Sequence, residues 1–307
     1  MIAGNPGSPE VSLVVPSFKS RETIGRTLES IFSQESGSTF EVIVVDSSQD
    51  STAAWIQSSF PKVRVISSQI RLSPGAARNR GGSEAQGNYL AFLDADAAPA
   101  PNWLESLMAR MTSSPDIRAV GGAVEIGNPE SMSARILHWI EFSEFLTGTP
   151  SGFKAHLSSS NLLIAKGDFE GAGGFNESFL MAEDLLLSRS FAGGLFFENT
   201  TAVKHYYRSS WQQTVNHLRK LGFWSGRLRR AVDMRGSWLR TVPIASLGLP
   251  FVRTALVLKR VWLGNRRAGL SAFVHSPLIL VALFHWSAGF YQGLRNSRHS
   301  DMCLPGS

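Results

Sequence analysis

The sequence predicts an α/β protein with a mostly parallel sheet, followed by a basic, apolar, helical C-terminal region. Two observations predict the sheet. Short apolar runs alternate with helix-like segments along residues 11–100, and their spacing is that of strands joined by crossover helices. A third observation bounds the size. With 307 residues, 43% hydrophobic and 18% charged, the chain can bury one large core or two smaller ones, which argues against disorder.

Residues 11–15, Val-Ser-Leu-Val-Val, read as the first strand. After a Pro-Ser turn, Ile24, Leu28 and Ile31 recur at helical spacing, so residues 21–34 form a helix with one face on the sheet. Residues 40–45 are the second strand, 51–58 a helix, 63–66 the third strand and 74–86 a helix of small residues. Residues 89–93 are the fourth strand, and a helix at 102–112 and a strand at 120–124 extend the pattern. Beyond residue 125 it loosens into a helix-like 131–146, a loop at 148–152 and a strand at 162–165. Residues 209–230 form a basic helical stretch. There is no internal repeat, and no Pro/Gly-rich linker separates the halves.

The net charge of +6 conceals a division. Residues 1–200 hold 14 Lys and Arg against 22 Asp and Glu, whereas residues 201–307 hold 16 against only Asp233 and Asp301. Two parts with different partners are implied, and the basic part suits nucleic acid, anionic lipid or a phosphorylated acceptor. The single cysteine, Cys303, excludes an intramolecular disulfide and a cysteine-cluster metal site. The first ten residues lack the basic start and apolar stretch of a secretory signal, so a cytoplasmic location is expected.

Three acidic positions fall at or just beyond strand ends, where an open parallel sheet presents its binding crevice. Asp46 closes the run Val-Ile-Val-Val-Asp; Asp94 and Asp96 follow the fourth strand, separated by Ala95. Two carboxylates at i and i+2 beyond a strand can reach one Mg2+ or Mn2+, leaving its other positions to diphosphate oxygens. Asp46 can accept hydrogen bonds from a nucleobase or ribose. Standing alone, an Asp-x-Asp pair is more often a solvated turn. Glu183 and Asp184 are adjacent, so their mutual charge can raise one pKa; equally, both suit the first turn of a helix starting near Leu185.

The stretch of residues 77–99, which contains Tyr-Leu-Ala-Phe-Leu-Asp-Ala-Asp, resembles glycosyltransferase family 2. Residues 11–18, Val44-Val-Asp46, Gly173-Gly-Phe175 and Glu183-Asp184 extend the match, in the family's order, over roughly residues 10–210. The resemblance implies the GT-A nucleotide-sugar-binding fold. Asp46 would contact the base, Asp94 and Asp96 would form the metal motif, and Asp184 would deprotonate the acceptor hydroxyl with inversion at the anomeric carbon. Pro16 and Ser17 would approach the nucleotide, and Arg78 matches the family's arginine ahead of the metal motif, where it holds a phosphate or orients an aspartate. His205 stands where some relatives place a histidine that helps bind metal or diphosphate. Asn161, Gly173 and Gly174, with Glu183, would line the acceptor side. The plainer readings are ordinary turn chemistry, a surface arginine, a core or solvated histidine, and glycines that only permit a tight turn.

The implied cofactor is Mg2+ or Mn2+. The implied donor is a nucleotide-diphosphate sugar, UDP-linked by default because UDP is common among relatives; the expected acceptor is a glycan or a lipid-linked acceptor, in the setting of cell-envelope polysaccharide. Polymer-forming members carry Gln-x-x-Arg-Trp after the base. Here residues 211–220 read Trp-Gln-Gln-Thr-Val-Asn-His-Leu-Arg-Lys, so one sugar per encounter is expected of a hexosyltransferase type.

Residues 268–294 carry no Asp, Glu, Lys or Arg over 27 positions, more than the roughly 20 that span a bilayer. Residues 242–258 are apolar but interrupted by Pro243, Pro250 and Arg253, which suits the membrane interface better. If both segments spanned, the loop 259–267 would be exported with four positive charges, against the usual bias. The expected organisation is a catalytic domain at 1–230 and a membrane-associating tail at 231–307, seated on the cytoplasmic face of an anionic membrane. Within the first, 10–125 form a nucleotide-sugar half, 126–208 an acceptor half and 209–230 a basic helix. Nucleic acid is not expected as a partner, because charge alone does not explain the uncharged run. The plainer alternative packs the tail on the protein's own core or in a homodimer. Two rivals for the activity stay open: a non-catalytic nucleotide-sugar-binding protein of the same fold, and a nucleotidyltransferase, whose glycine-rich phosphate loop is missing from residues 11–18.

Overall fold

Runs of valine, leucine and isoleucine set the centre of the sheet. β1 (Val11–Ser17), β2 (Phe40–Asp46), β3 (Val63–Ser67) and β4 (Tyr89–Leu93) pair in parallel in the order β3-β2-β1-β4. β1 is buried along nearly its whole length, as a strand covered on both faces must be. The computed structural model describes residues 8–191, 193–207 and 210–296; the extreme N-terminus read for a signal and Cys303 lie outside the described residues.

Three helices make the crossovers: α1 (Ile24–Phe32), α2 (Thr52–Ser59) and α3 (Pro74–Glu84). α1 buries Ile24, Thr27, Leu28 and Ile31, one face at 3.6-residue spacing. α3 starts cleanly because the Ser73 hydroxyl accepts the Ala76 N–H at 3.1 Å and Pro74 occupies the first turn. It also lies close to the sheet. A Cβ at Gly81 would come within 2.3 Å of Val14 Cγ1, so only glycine permits this approach, and Arg78 on the same helix is thereby buried.

The second half contains β5 (Ala97–Pro99), α4 (Trp103–Thr112), β6 (Ala119–Ile126), α5 (Met132–Phe142), β7 (Gly152–Phe153), β8 (Asn161–Ala165), α6 (Lys166–Gly171), α7 (Glu183–Arg189) and β9 (Leu195–His205). The sheet continues β4-β8-β6-β9-β5, with β7 also on β9. β8 runs antiparallel to both β4 and β6, so the sheet is parallel through residue 93 and mixed beyond it. β5, β7 and α6 are too short to show a period in sequence.

The C-terminal region contains α8 (Trp211–Ala231), two 3-10 turns at Ser237–Arg240 and Pro243–Gly248, α9 (Leu249–Gly264), α10 (Arg266–Val274) and α11 (Ser276–Arg295). The uncharged run at 268–294 is therefore not one helix. It breaks at His275, where α10 and α11 meet at 74°, and among the described residues no single helix is long and apolar enough to cross a membrane.

Glycines explain how α11 is held. Cβ atoms at Gly222 and Gly226 of α8 would lie 1.9 Å from the Trp286 carbonyl oxygen and 2.3 Å from that of Phe290. Those at Gly289 and Gly293 of α11 would lie 1.9 Å from the Arg219 oxygen and 2.1 Å from that of Phe223. The two helices meet backbone to backbone, as small-xxx-small pairs allow. Ile279, Leu283, Trp286, Phe290 and Leu294 are buried in the same core as the sheet. The boundary expected at residue 230 thus falls in the last turn of α8, a helix that packs tightly against α11.

Candidate active site

Parallel pairing brings the C-terminal ends of β1, β2 and β4 to one edge. In the β1–β2 register Ser17 stands opposite Asp46, and Ser17 Oγ donates to Asp46 Oδ1 at 2.5 Å. Ser48 Oγ donates to the same oxygen at 2.6 Å. Asp46 is only 3% exposed and stands behind Ser17 and Ser47, which line a cavity of about 1230 Å³. That exceeds the roughly 300–1000 Å³ of a single-ligand pocket, leaving room for two substrates. Pro16, Arg78, Asp94, Asp96, Glu183, Asp184 and His205 line the same cavity.

Asp94 and Asp96 follow β4, and the antiparallel β5–β9 ladder delivers the third member of the group. Ala97 pairs with His205, and the Tyr206 N–H donates to the Asp96 carbonyl at 2.9 Å. His205 Nε2 consequently lies 3.4 Å from Asp96 Oδ1 and 3.8 Å from Asp94 Oδ2. One ligand atom from each of the three lies within 4.8 Å of the others, a group that could hold a metal ion. The electrostatics fit a cation. Burial works against a charged imidazole, yet the Asp96 and Asp94 carboxylates outweigh it and raise His205 to about 9. Two carboxylates and one imidazole form a donor set suited to a first-row divalent ion.

Arg78 ties this group to the opposite wall. Its Nη2 donates to Asp94 Oδ1 at 2.6 Å and its Nη1 to Glu183 Oε1 at 2.8 Å. Burial would raise Asp94, but the guanidinium prevails and holds it at about 2. Glu183 behaves oppositely: burial, opposed by Arg78 but reinforced by Asp184, lifts it to about 7. Burial also raises Asp184, which lies at the cavity wall and accepts the Leu185 N–H at 2.8 Å. Both acids open α7, so they serve the helix N-terminus and the cavity together. Ala182, just before them, has φ of 67°, a left-handed conformation costly for a residue with a Cβ. Lys19, beside Ser17 on the same cavity, is likewise left-handed at φ 52°.

Residues 12–161 match the family described as Glycosyl transferase family 2. This segment is a glycosyl transferase family 2 domain. Over 165 residues, 52% of this chain, the sequence is 32% identical to the succinoglycan biosynthesis protein ExoO of Rhizobium meliloti (strain 1021), covering 45% of that protein. It is 34% identical over 131 residues to the glycosyltransferase AglE of Haloferax volcanii, 41% of this chain and 43% of that one. The chain thus spans less than half the length of these curated relatives. The mannosyltransferase PcManGT from Pyrobaculum calidifontis, solved with GDP-Man and Mn2+, shares the fold, with a TM-score of 0.60 at 15% identity over 97% of this chain and 90% of that one. The fold is accordingly GT-A, with a helical C-terminal region.

Three expected acceptor-side residues are not on the cavity. Asn161, 1% exposed, accepts from Trp103 Nε1 at 2.7 Å and donates to the Ala123 carbonyl at 2.9 Å, joining α4, β6 and β8. Gly173 and Gly174 have φ of 78° and 71° and form a turn against Asn79, whose oxygen a Cβ on Gly174 would approach to 2.7 Å. Their role is to aim Phe175 into the core against Phe92. Ser158, Ser159 and Ser160 line the cavity instead, immediately before Asn161.

The sequence reading also missed residues that back the site. His138 Nδ1 lies 2.9 Å from Tyr207 Oη, and the Tyr207 ring lies 4.6 Å from the His205 ring. Burial, with the His205 charge second, lowers His138 to about 3, and burial pushes the Tyr207 phenol up, so both stay neutral behind His205. Glu141, one turn after His138 on α5, lies 2.6 Å from His217 Nε2 on α8. The available signal was an i, i+3 His-Glu pair on an apolar helix, a pattern without specificity until its partners are known.

Proposed function

We propose that the protein is a metal-dependent, inverting glycosyltransferase that moves one sugar per encounter from a nucleoside-diphosphate donor, UDP-linked by default, to an acceptor hydroxyl. The observation that carries this reading is that the Asp94–Asp96–His205 group and the Asp184 carboxylate share one cavity large enough for two substrates. Pro16 and Ser17 receive the nucleotide, with Asp46 behind them to accept from the base once the Ser17 and Ser48 hydroxyls turn away. Asp94, Asp96 and His205 hold Mg2+ or Mn2+, which when bound neutralises the leaving diphosphate; the imidazole ligand favours Mn2+. Arg78 orients Asp94.

Asp184 removes the acceptor proton as the acceptor oxygen bonds to the anomeric carbon. On the opposite face the anomeric C–O bond to the diphosphate breaks, its electron pair leaves with the nucleoside diphosphate, and the configuration inverts. Asp184 suits this role better than Glu183, whose Oε1 is occupied by Arg78 and which is only 5% exposed.

The acceptor is membrane-proximal or lipid-linked, a reading supported by the similarity over 165 residues to a succinoglycan biosynthesis protein and by the C-terminal surface. Phe251, Trp262, Leu263, Phe273, Val274 and Phe284 are exposed on α9, α10 and α11. Exposed Lys259, Arg266 and Arg267 accompany them. These exposed apolar side chains and cations seat the C-terminal helices in an anionic membrane interface, with the N-terminal domain facing the nucleotide sugar.

The test is a screen of UDP-, GDP- and dTDP-sugars with Mn2+, reading thermal shift and donor hydrolysis on the whole chain. A donor that stabilises the protein and is turned over supports the enzyme. Stabilisation without turnover of any donor identifies a non-catalytic binder instead.

A further inference from the structure

Three arginines from the C-terminal helices line the same cavity, and the sugar-transfer chemistry above uses none of them. Arg229 stands on α8, and Arg253 and Arg260 stand on α9. Their partners are unequal. Arg260 Nη2 lies 2.9 Å from Glu144 Oε1. Arg229 spends its donors on neutral carbonyls, Ser225 at 3.0 Å and Arg235 at 3.2 Å. Arg253 has no carboxylate in ion-pair range among the described residues, and its buried Nε has no hydrogen-bond partner there. Its guanidinium lies over the Trp286 ring, 4.1 Å from the centroid.

The imbalance is electrostatic. Burial, with the Arg229 and Arg260 charges added, pulls Arg253 down to about 10, so it remains a cation at neutral pH. Among the described residues, Glu144 is the one carboxylate set against these three guanidiniums. Buried or half-buried charge without compensation is costly, and an anionic ligand would remove the cost.

The cluster is tied through Glu144 to the segment that follows α5. Glu141 acts on His205 and bonds His217; Glu144, three residues on, pairs Arg260; Arg253 then feels Arg260, Arg229 and Glu144. Pro16, Ser17 and Lys19 line the cavity at and just beyond the end of β1. The arginines thus come from the C-terminal helices and not from the ends of the parallel strands.

We propose that Arg229, Arg253 and Arg260 form a binding subsite for a phosphate group carried by the acceptor. Two guanidiniums in excess match the charge of a phosphate ester, and their planar donors suit its oxygens. Trp286 and Leu221 line the same cavity and give the phosphate's substituent an apolar wall. That the phosphate belongs to an acceptor rests on the glycosyltransferase reading; that the subsite binds phosphate does not. The phosphate can be esterified to a polyprenyl lipid or to a soluble sugar.

Titration of the whole chain with geranyl phosphate, glucose 1-phosphate and geraniol, in EDTA to keep metal from the carboxylates, tests the subsite. Geranyl phosphate should bind and geraniol should not. Arg253→Gln and, separately, Arg229→Gln should each raise Kd by about tenfold or more, with melting midpoints recorded to confirm folding. Arg253→Lys, which keeps a cation over Trp286, should lose less. Tighter binding of geranyl phosphate than of glucose 1-phosphate assigns the lipid source, and equal binding the soluble one; either supports the subsite. Binding that survives both arginine substitutions but is lost in Lys19→Gln places the anion at the nucleotide end and overturns the proposal, as does absence of binding by both phosphates. Arginine-dependent phosphate binding in a protein that turns over no nucleotide sugar leaves the subsite standing and defeats the glycosyltransferase reading instead.

Discussion

Arg78 donates to Glu183 at 2.8 Å, and this one contact joins α3 to the first turn of α7, elements 105 residues apart in sequence. The same guanidinium holds Asp94 at 2.6 Å, so a single buried cation spaces the metal-side carboxylate from the acceptor-side pair. Its two bonds need a planar fork, which an ammonium does not supply.

Arg78→Met should therefore leave Glu183 without a counter-charge and Asp94 with only His205. A destabilisation of about 3–5 kcal/mol is expected, read from urea unfolding. Arg78→Lys should fold better yet recover little turnover, because lysine cannot hold both carboxylates in place. Wild-type stability in Arg78→Met would show that the bridge does not support the fold.

Asp96→Asn should weaken Mn2+ binding by on the order of tenfold or more, measured by calorimetry on the whole chain. Metal-dependent donor turnover should fall with it, and EDTA should abolish turnover in the wild type until Mn2+ is restored. Unchanged Mn2+ affinity in the variant would remove Asp96 from the ligand set.

Asp184→Asn should lower kcat by about 10²–10⁴-fold while the donor KM changes little, since a general base acts in the transition state. Steady-state kinetics at saturating acceptor makes the distinction. A variant that loses donor binding with kcat intact would contradict the assignment.

Glu183 links stability to pH. Its carboxyl titrates near 7 in the folded protein against an ordinary 4.5, so the folded state binds more protons between those values. The stability it contributes is present in full below about 4.5 and is lost as pH rises through 7. Glu183→Gln cannot titrate and should gain on the wild type from pH 5 to pH 8, by up to roughly 3 kcal/mol. Asp94 has the opposite sign, but its window lies between about 2 and 3.8 and does not interfere. A difference in urea midpoint that stays constant across this range would sink the prediction.

Gly289→Leu should separate α11 from α8, because its Cβ would stand 1.9 Å from the Arg219 carbonyl oxygen. A fall in melting temperature with new protease cleavage in the C-terminal region is expected, at a cost above the roughly 1–3 kcal/mol of ordinary overpacking. Gly248→Ala, where nothing lies within 4 Å of the added Cβ, serves as the control and should be nearly neutral.

Local pattern determined much of this protein. β1 to β4 and α1 to α4 are legible because apolar residues alternate between strand-like runs and 3.6-residue helical spacing, a property each segment carries without reference to the rest. Asp94-x-Asp96 is legible for the same reason, since its two members need only one strand end. Tertiary structure decided what long-range pairing controls. His205 joins those aspartates through the β5–β9 ladder, 109 positions after Asp96 in the numbering, and β5 is three residues long with no period to reveal it. Asn161 looked like a pocket residue but is consumed by Trp103 and Ala123, partners that only the packed sheet and helix bring together. The uncharged run at 268–294 is long enough by count for a membrane span because hydropathy counts residues, not neighbours. His275 breaks it, and glycines on two helices let half of it serve as core while the other half stays exposed, a division set by backbone contact across the fold and not by composition.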